Sequence, residues 1–195
     1  VPIPKSKINR KGDIDEPASF DQCQTPIYAL DPLLPYLPKD KVIWECACGK
    51  GNLVIGLKRL GYNVVSTDLS SSDEHYSRNF FHWEPDTWDI IVTNPPFSVK
   101  FEWIERCNQL GKPWALLLRL EVLGAARAQR QFERYDMELI LLNKRINFEM
   151  PNMGTSGGGA WFPVAWFTHG LNIGTPTTFG KIIPRPDKQP FLLEI

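Results

Sequence analysis

Neither sign of charge is in surplus in this chain: 22 Lys and Arg stand against 22 Asp and Glu over 195 residues. No global field advertises a polyanionic partner, which argues against a module that holds nucleic acid by electrostatics alone and leaves room for an enzyme with a local basic rim. Cysteine is scarce and scattered, at Cys23, Cys46, Cys48 and Cys107. That usage suits reduced thiols better than a disulfide framework. Cys46-x-Cys48 has no second pair, and His75, His82 and His169 show no ligand spacing, so no metal site is expected. No apolar run approaches the roughly 20 residues of a membrane span, and no targeting pattern opens the sequence. A cytoplasmic protein with no membrane partner is the expectation. Internal repeats and low-complexity linkers are absent too.

What is present is an ordinary globular composition, 43% hydrophobic, with seven Trp and eleven Phe. The length suits one domain around one core. Residues 1–23 read as an N-terminal arm whose first half is basic, residues 24–173 as the folded domain, and residues 174–195, rich in Pro and Thr, as an extended tail. "TPIYALDPLLPYL" (25–37) reads as a short helix with Thr25 as N-cap and Pro26 at the first position. Strands are expected at 41–47, 62–68, 79–83, 88–94, 113–123, within 137–150, and at 159–170. Helices are expected at 53–61, closed by Gly61, and at 99–111 and 124–136. Alternation of this kind means an α/β fold, a mainly parallel seven-stranded sheet covered by helices on both faces. The last two strands have no helix between them and are expected to form an antiparallel hairpin at one edge.

Two stretches carry chemistry. In "VIWECACGKGNLVIGL", Gly49 and Gly51 permit a tight turn at a helix N-terminus and close approach of the backbone to a ligand. A dinucleotide fingerprint needs glycine at 54, and Val54 stands there, so a pyrophosphate-binding NAD site fits weakly. Glu45, at the strand end before the loop, repels pyrophosphate and attracts an ammonium or sulfonium. Asp68, ending the next strand, sits where such folds bind ribose hydroxyls with a carboxylate. A nucleoside carrying positive charge satisfies all three features, and S-adenosylmethionine (SAM) is one. The second stretch, "DIIVTNPPFSVK" (89–100), runs a buried strand straight into Asn94-Pro95-Pro96-Phe97, whose prolines forbid the strand from continuing.

Glu45-x-x-Cys48-Gly49-x-Gly51-Asn52, Asp68 and Asn94-Pro95-Pro96-Phe97, in this order, resemble the SAM-dependent amino methyltransferases of the N6-adenine type, over about residues 24–170. The small cassette resembles the phage and prophage DNA adenine enzymes in particular. The resemblance implies a Rossmann-like methyltransferase fold with SAM as cofactor. It implies that Gln24-Thr25-Pro26 touches the methionine end of SAM, that the Gly49–Gly51 loop cradles it and Asp68 binds its ribose. Phe80 or Phe81 would then pack on its adenine. It further implies that the Asn94 side-chain oxygen and the Pro95 carbonyl accept both N–H bonds of a planar amine, while Pro96 gives rigidity and Phe97 stacks on the target ring. Methyl transfer then depends on positioning rather than on a strong base.

The motif names the reaction type better than the acceptor. DNA adenine N6 is the first expectation, and RNA (adenine N6 or guanine N2), protein glutamine, and a SAM-binding protein without catalysis are the alternatives. Arg119, Arg127, Arg130, Lys144 and Arg145 are candidates for phosphate-backbone contacts, and Met150 to Ala160 is a candidate loop over the target base. A duplex target would have to be flipped, at a cost of a few kcal/mol. The oligomeric state is not legible.

Overall fold

The computed structural model describes residues 23–70, 77–148 and 162–183. The expected arm up to residue 22, the Gly-rich stretch within 149–161 and the tail from 184 lie outside the described residues.

Short apolar runs punctuated by glycine build the sheet. Its strands are β1 (Val42–Glu45), β2 (Asn63–Ser66), β3 (Ile90–Thr93), β4 (Trp114–Arg119), β5 (Glu138–Leu142), β6 (Val164–His169) and β7 (Thr177–Gly180), in the spatial order β2-β1-β3-β4-β6-β5-β7. All four residues of β3 are buried, as are the first five of β4 and of β6, the pattern of strands covered on both faces. β1 pairs in parallel with β2 and β3, β3 with β4, and β5 with β7, so that β6 alone runs against its neighbours.

Among the described residues three α-helices connect the strands: α1 (Asn52–Arg59), α2 (Lys100–Leu110) and α3 (Ala126–Tyr135). α1 stops because Gly61 adopts φ +81, which lets its N–H reach the Lys58 carbonyl at 3.0 Å and the Tyr62 N–H reach that of Leu57 at 3.0 Å. Consecutive residues of β6 show that both faces are covered. The Trp166 indole donates to the Ala29 carbonyl at 2.8 Å on one face, and the Phe167 ring meets Phe132 of α3 at 5.8 Å on the other. Fully buried Trp44, Trp114 and Trp166 form the centre of the core. Among the described residues no helix is long and apolar enough to cross a membrane.

The strand expected at 79–83 does not form. The Asn79 side-chain oxygen takes the Phe81 N–H at 2.9 Å and its carbonyl takes those of His82 and Trp83, so the backbone closes a local turn instead of joining a ladder. The seventh strand comes instead from 177–180, within the segment expected to be an extended tail. β5 and β6 do pair antiparallel, but not at an edge: β6 inserts between β4 and β5, and β7 is the edge strand. The helix expected at 25–37 is two single turns of 3-10 helix, Ile27–Leu30 and Leu34–Tyr36. Pro32 and Pro35 lack the N–H that a longer α-helix needs and disfavour helical backbone in the residue before each. Thr25 therefore caps nothing: Pro26 precedes the first turn, with no side-chain cap.

Candidate active site

Every parallel strand of the sheet's first half points its C-terminal end the same way, and the loops leaving β1, β2 and β3 meet there. Thr25, Glu45, Cys48, Asn52, Asn94 and Pro96 line one cleft at that end, together with Cys23, Gln24, Ala47 and Leu53. Seven of the residues singled out in the sequence, Gln24 among them, thus share one cleft.

Glu45 closes the bottom of the cleft and is 1% exposed. Its Oε1 accepts the Ala47 N–H at 3.1 Å. Burial pushes its carboxyl up to about 7, and Asp68 nearby adds to the rise, against the lowering effect of the Thr93 hydroxyl and the Ala47 N–H. Cys48 is pushed up to about 12, first by burial and then by the carboxylates of Glu45 and Asp68, so its thiol is no nucleophile at neutral pH.

The glycine loop is held from within. Cys48 N–H donates to the Thr67 carbonyl at 3.1 Å, Gly49 N–H to Asp68 Oδ2 at 2.8 Å, Lys50 N–H to Gln24 Oε1 at 2.9 Å, and Gly51 N–H to the Cys48 carbonyl at 2.7 Å. With Ala47, five consecutive N–H groups already have acceptors. A loop built to cradle a pyrophosphate leaves such groups free for the anion. This one offers only the first-turn N–H groups of α1, of which Asn52 and Leu53 face the cleft. Gly49 and Gly51 are needed for their conformations, φ +51 and +84.

Asp68 does more than wait for a ligand. Beyond the Gly49 N–H, its Oδ1 accepts from the Ser70 N–H at 2.8 Å and the Ser70 hydroxyl at 2.6 Å. It joins the end of β2 to the loop after β1, and a carboxylate has capacity left for one further donor.

At the other wall stands the Asn-Pro-Pro-Phe corner. Among the described residues, the Asn94 Oδ1 is buried with no hydrogen-bond partner, and the fully buried Thr93 hydroxyl, beside Glu45, makes no hydrogen bond of ordinary geometry. Leaving such a group unpaired costs about 1–3 kcal/mol. Pro95 is buried and Pro96 lines the cleft. Phe97 is 5% exposed, its ring edge-on to Phe162 at 5.8 Å, and its carbonyl accepts from Lys100 Nζ at 3.2 Å.

The aromatic candidates separate. Phe80 is 3% exposed and stacks on Trp103 of α2, ring centroids 4.0 Å apart, so its faces belong to the core. Phe81, edge-on to Trp103 at 5.8 Å, is half-buried. Neither lines the cleft, nor do Pro26, Gly49, Gly51, Asp68, Pro95 and Phe97. Of the basic candidates, Arg119 pairs with Glu121 at 2.7 Å and covers Phe162, Arg127 pairs with Glu102 at 2.7 Å, and Lys144 lies over Tyr28. Arg130 lines a surface groove between α2 and α3, and Arg145 is exposed. The sequence reading gave Gln24 no role on the loop: its bond to Lys50 spans 26 residues and no local pattern announces it.

No protein-family model and no curated protein matches this sequence. Solved structures do. A dimethyladenosine transferase from Plasmodium falciparum superposes with a TM-score of 0.51 at 13% identity, over 75% of this chain and 62% of its own. A protein assigned to the class I S-adenosylmethionine-dependent methyltransferases, from Listeria monocytogenes, superposes with a TM-score of 0.51 at 13% identity, over 88% of this chain and 69% of its own. The chain thus spans less than two thirds of the first of these proteins. At such identity the likeness establishes the fold alone: a seven-stranded, mostly parallel, Rossmann-like sheet.

Proposed function

We propose that this chain transfers a methyl group from SAM to an exocyclic amino group of a nucleobase, with adenine N6 in DNA as the preferred acceptor. The observation that carries the reading is the Asn94 Oδ1, buried and unpartnered on the wall of the cleft that Glu45 also lines. A buried acceptor with nothing to accept is a place reserved for a donor that arrives with a ligand.

The cleft fits SAM better than a phosphate-bearing cofactor. The loop N–H groups that would hold a pyrophosphate are engaged, and an acid stands at the base of the cleft. Glu45 is the natural partner of a cation, whose arrival favours the ionised carboxylate. In this reading Thr25, Cys48 and Asn52 on the cleft wall take the methionine end, with Pro26 next in the chain, and Asp68 and Phe81, which do not line the cleft, take the ribose and the adenine. SAM supplies an electrophilic methyl group when bound. Asn94 and the Pro95 carbonyl accept the two N–H bonds of the acceptor amine, which turns the nitrogen lone pair toward that methyl. Pro95 and Pro96 fix the corner, so no reorganisation is needed at the moment of transfer. Phe97, packed edge-on against Phe162 and outside the cleft lining, keeps in this reading the role of stacking on a planar target.

The test is methyl-labelled SAM offered with unmethylated DNA, bulk RNA or a cell protein extract in separate reactions, followed by digestion. N6-methyladenine in DNA is the expected product. Label in RNA or protein instead moves the acceptor and keeps the chemistry. Binding of NAD without binding of SAM overturns the reading.

A further inference from the structure

We infer that Gln24 is a positioning residue for the ligand site: it latches the glycine loop into its binding form before any ligand arrives. The inference rests on the cofactor reading above for its link to SAM and on geometry for the latch itself.

The Lys50 N–H, at an exposed point of the loop, donates to Gln24 Oε1 at 2.9 Å. The same carboxamide lies flat against Gly49: a Cβ there would stand 2.9 Å from both Oε1 and Nε2. Glycine at 49 therefore answers two demands, a left-handed backbone and room for the Gln24 side chain. On the opposite side Asp68 holds the Gly49 N–H at 2.8 Å. Two side chains from distant segments thus clamp adjacent N–H groups of one turn. A loop so held forms its pocket without the ordering cost that a free glycine-rich turn pays on binding. Gln24 also lines the cleft beside Thr25, so the latch fixes the segment 23–26 against the loop. Its effect should fall on binding and leave the transfer step alone, because Asn94 is held from β3.

Gln24→Met keeps the length and packing and removes the acceptor, whereas Gln24→Glu keeps an acceptor. Hydrogen exchange of the Lys50 amide, read in the ligand-free protein, is expected to speed up at least tenfold in Q24M and to stay within about threefold of the parent in Q24E. Amides in β4 and β6 stay protected in both. With SAM, Q24M is expected to raise KM about tenfold while kcat at saturation stays within twofold. Unchanged Lys50 exchange in Q24M overturns the latch, whether or not the protein binds SAM. Faster exchange with unchanged KM overturns its role in binding. If the parent protein takes up no SAM, the cofactor reading falls alone, and the exchange result still decides the latch.

Discussion

At the glycine-loop end of the cleft, five consecutive backbone N–H groups from Ala47 to Gly51 have acceptors inside the chain, whereas at the Asn94 end a buried carboxamide oxygen has none among the described residues. The two ends come from the same sheet, one strand apart, yet one is complete without a ligand and the other is not. A satisfied turn is stable and gives a ligand a fixed surface. An unsatisfied one stores free energy that only an incoming donor releases. The difference separates residues that hold the loop from a residue with a place left for a donor.

The sharpest way to break that contrast is Asn94→Ala. Its turnover should fall at least a thousandfold, about 4 kcal/mol of barrier, with SAM binding kept within threefold. Because the lost oxygen has no partner, the melting temperature should stay level or rise. A large loss of stability would place Asn94 with the residues that hold. Glu45→Gln comes next. A carboxyl near 7 in the folded chain and 4.5 when unfolded keeps its proton in the fold after the unfolded chain has lost it. Stability then declines as pH rises between those values and is level above 7, a total on the order of 3 kcal/mol that E45Q should remove. Denaturant titrations of both proteins from pH 4 to 8 check this, and parallel curves would mean Glu45 is ionised in the fold.

Asp68→Ala should weaken SAM binding by more than tenfold, about 1.4 kcal/mol, and also lower stability, since three hydrogen bonds go with it. Calorimetry and thermal melts on one variant read both. Phe81→Ala is the mildest: SAM affinity is expected to drop about threefold with the fold intact. Phe80→Ala should cost about 3–5 kcal/mol of stability, the cost of emptying a buried aromatic site. Reversal of that pair would move the adenine contact to Phe80.

Much of this was legible. Val42–Glu45, Ile90–Thr93, Trp114–Arg119 and Val164–His169 are apolar runs too short for helices and bounded by glycine, proline or polar residues, and strands are what such runs become. Glu45, the glycine loop and Asn94 follow because strand ends in a parallel sheet share one side. Other features depend on contacts across the chain. Phe80 and Phe81 read as a strand because aromatics favour sheets, but their rings pack on Trp103 and the Asn79 side chain takes the ladder's place. Thr177–Gly180 is short and half exposed, and nothing in four such residues distinguishes a strand from a tail until Leu139–Leu142 lies beside it. That β6 enters between β4 and β5 is a matter of sheet order, which adjacency in sequence does not specify.

The late strand β7 bears on how the cleft is assembled in time. Asp31 Oδ2 accepts the Ile183 N–H at 3.2 Å, Gly180 leaves no room for a Cβ against Pro32, and Ala29 and Tyr28 are bonded from Trp166 and Asn147. The turn that follows Gln24 and Thr25 is thus held by residues made more than a hundred positions later. During synthesis the loop and α1 emerge before the residues that anchor the segment beside them, and Trp166, Gly180 and Ile183 seat that segment afterwards. Contacts of such long sequence separation form slowly, so competence to bind should lag behind formation of the sheet.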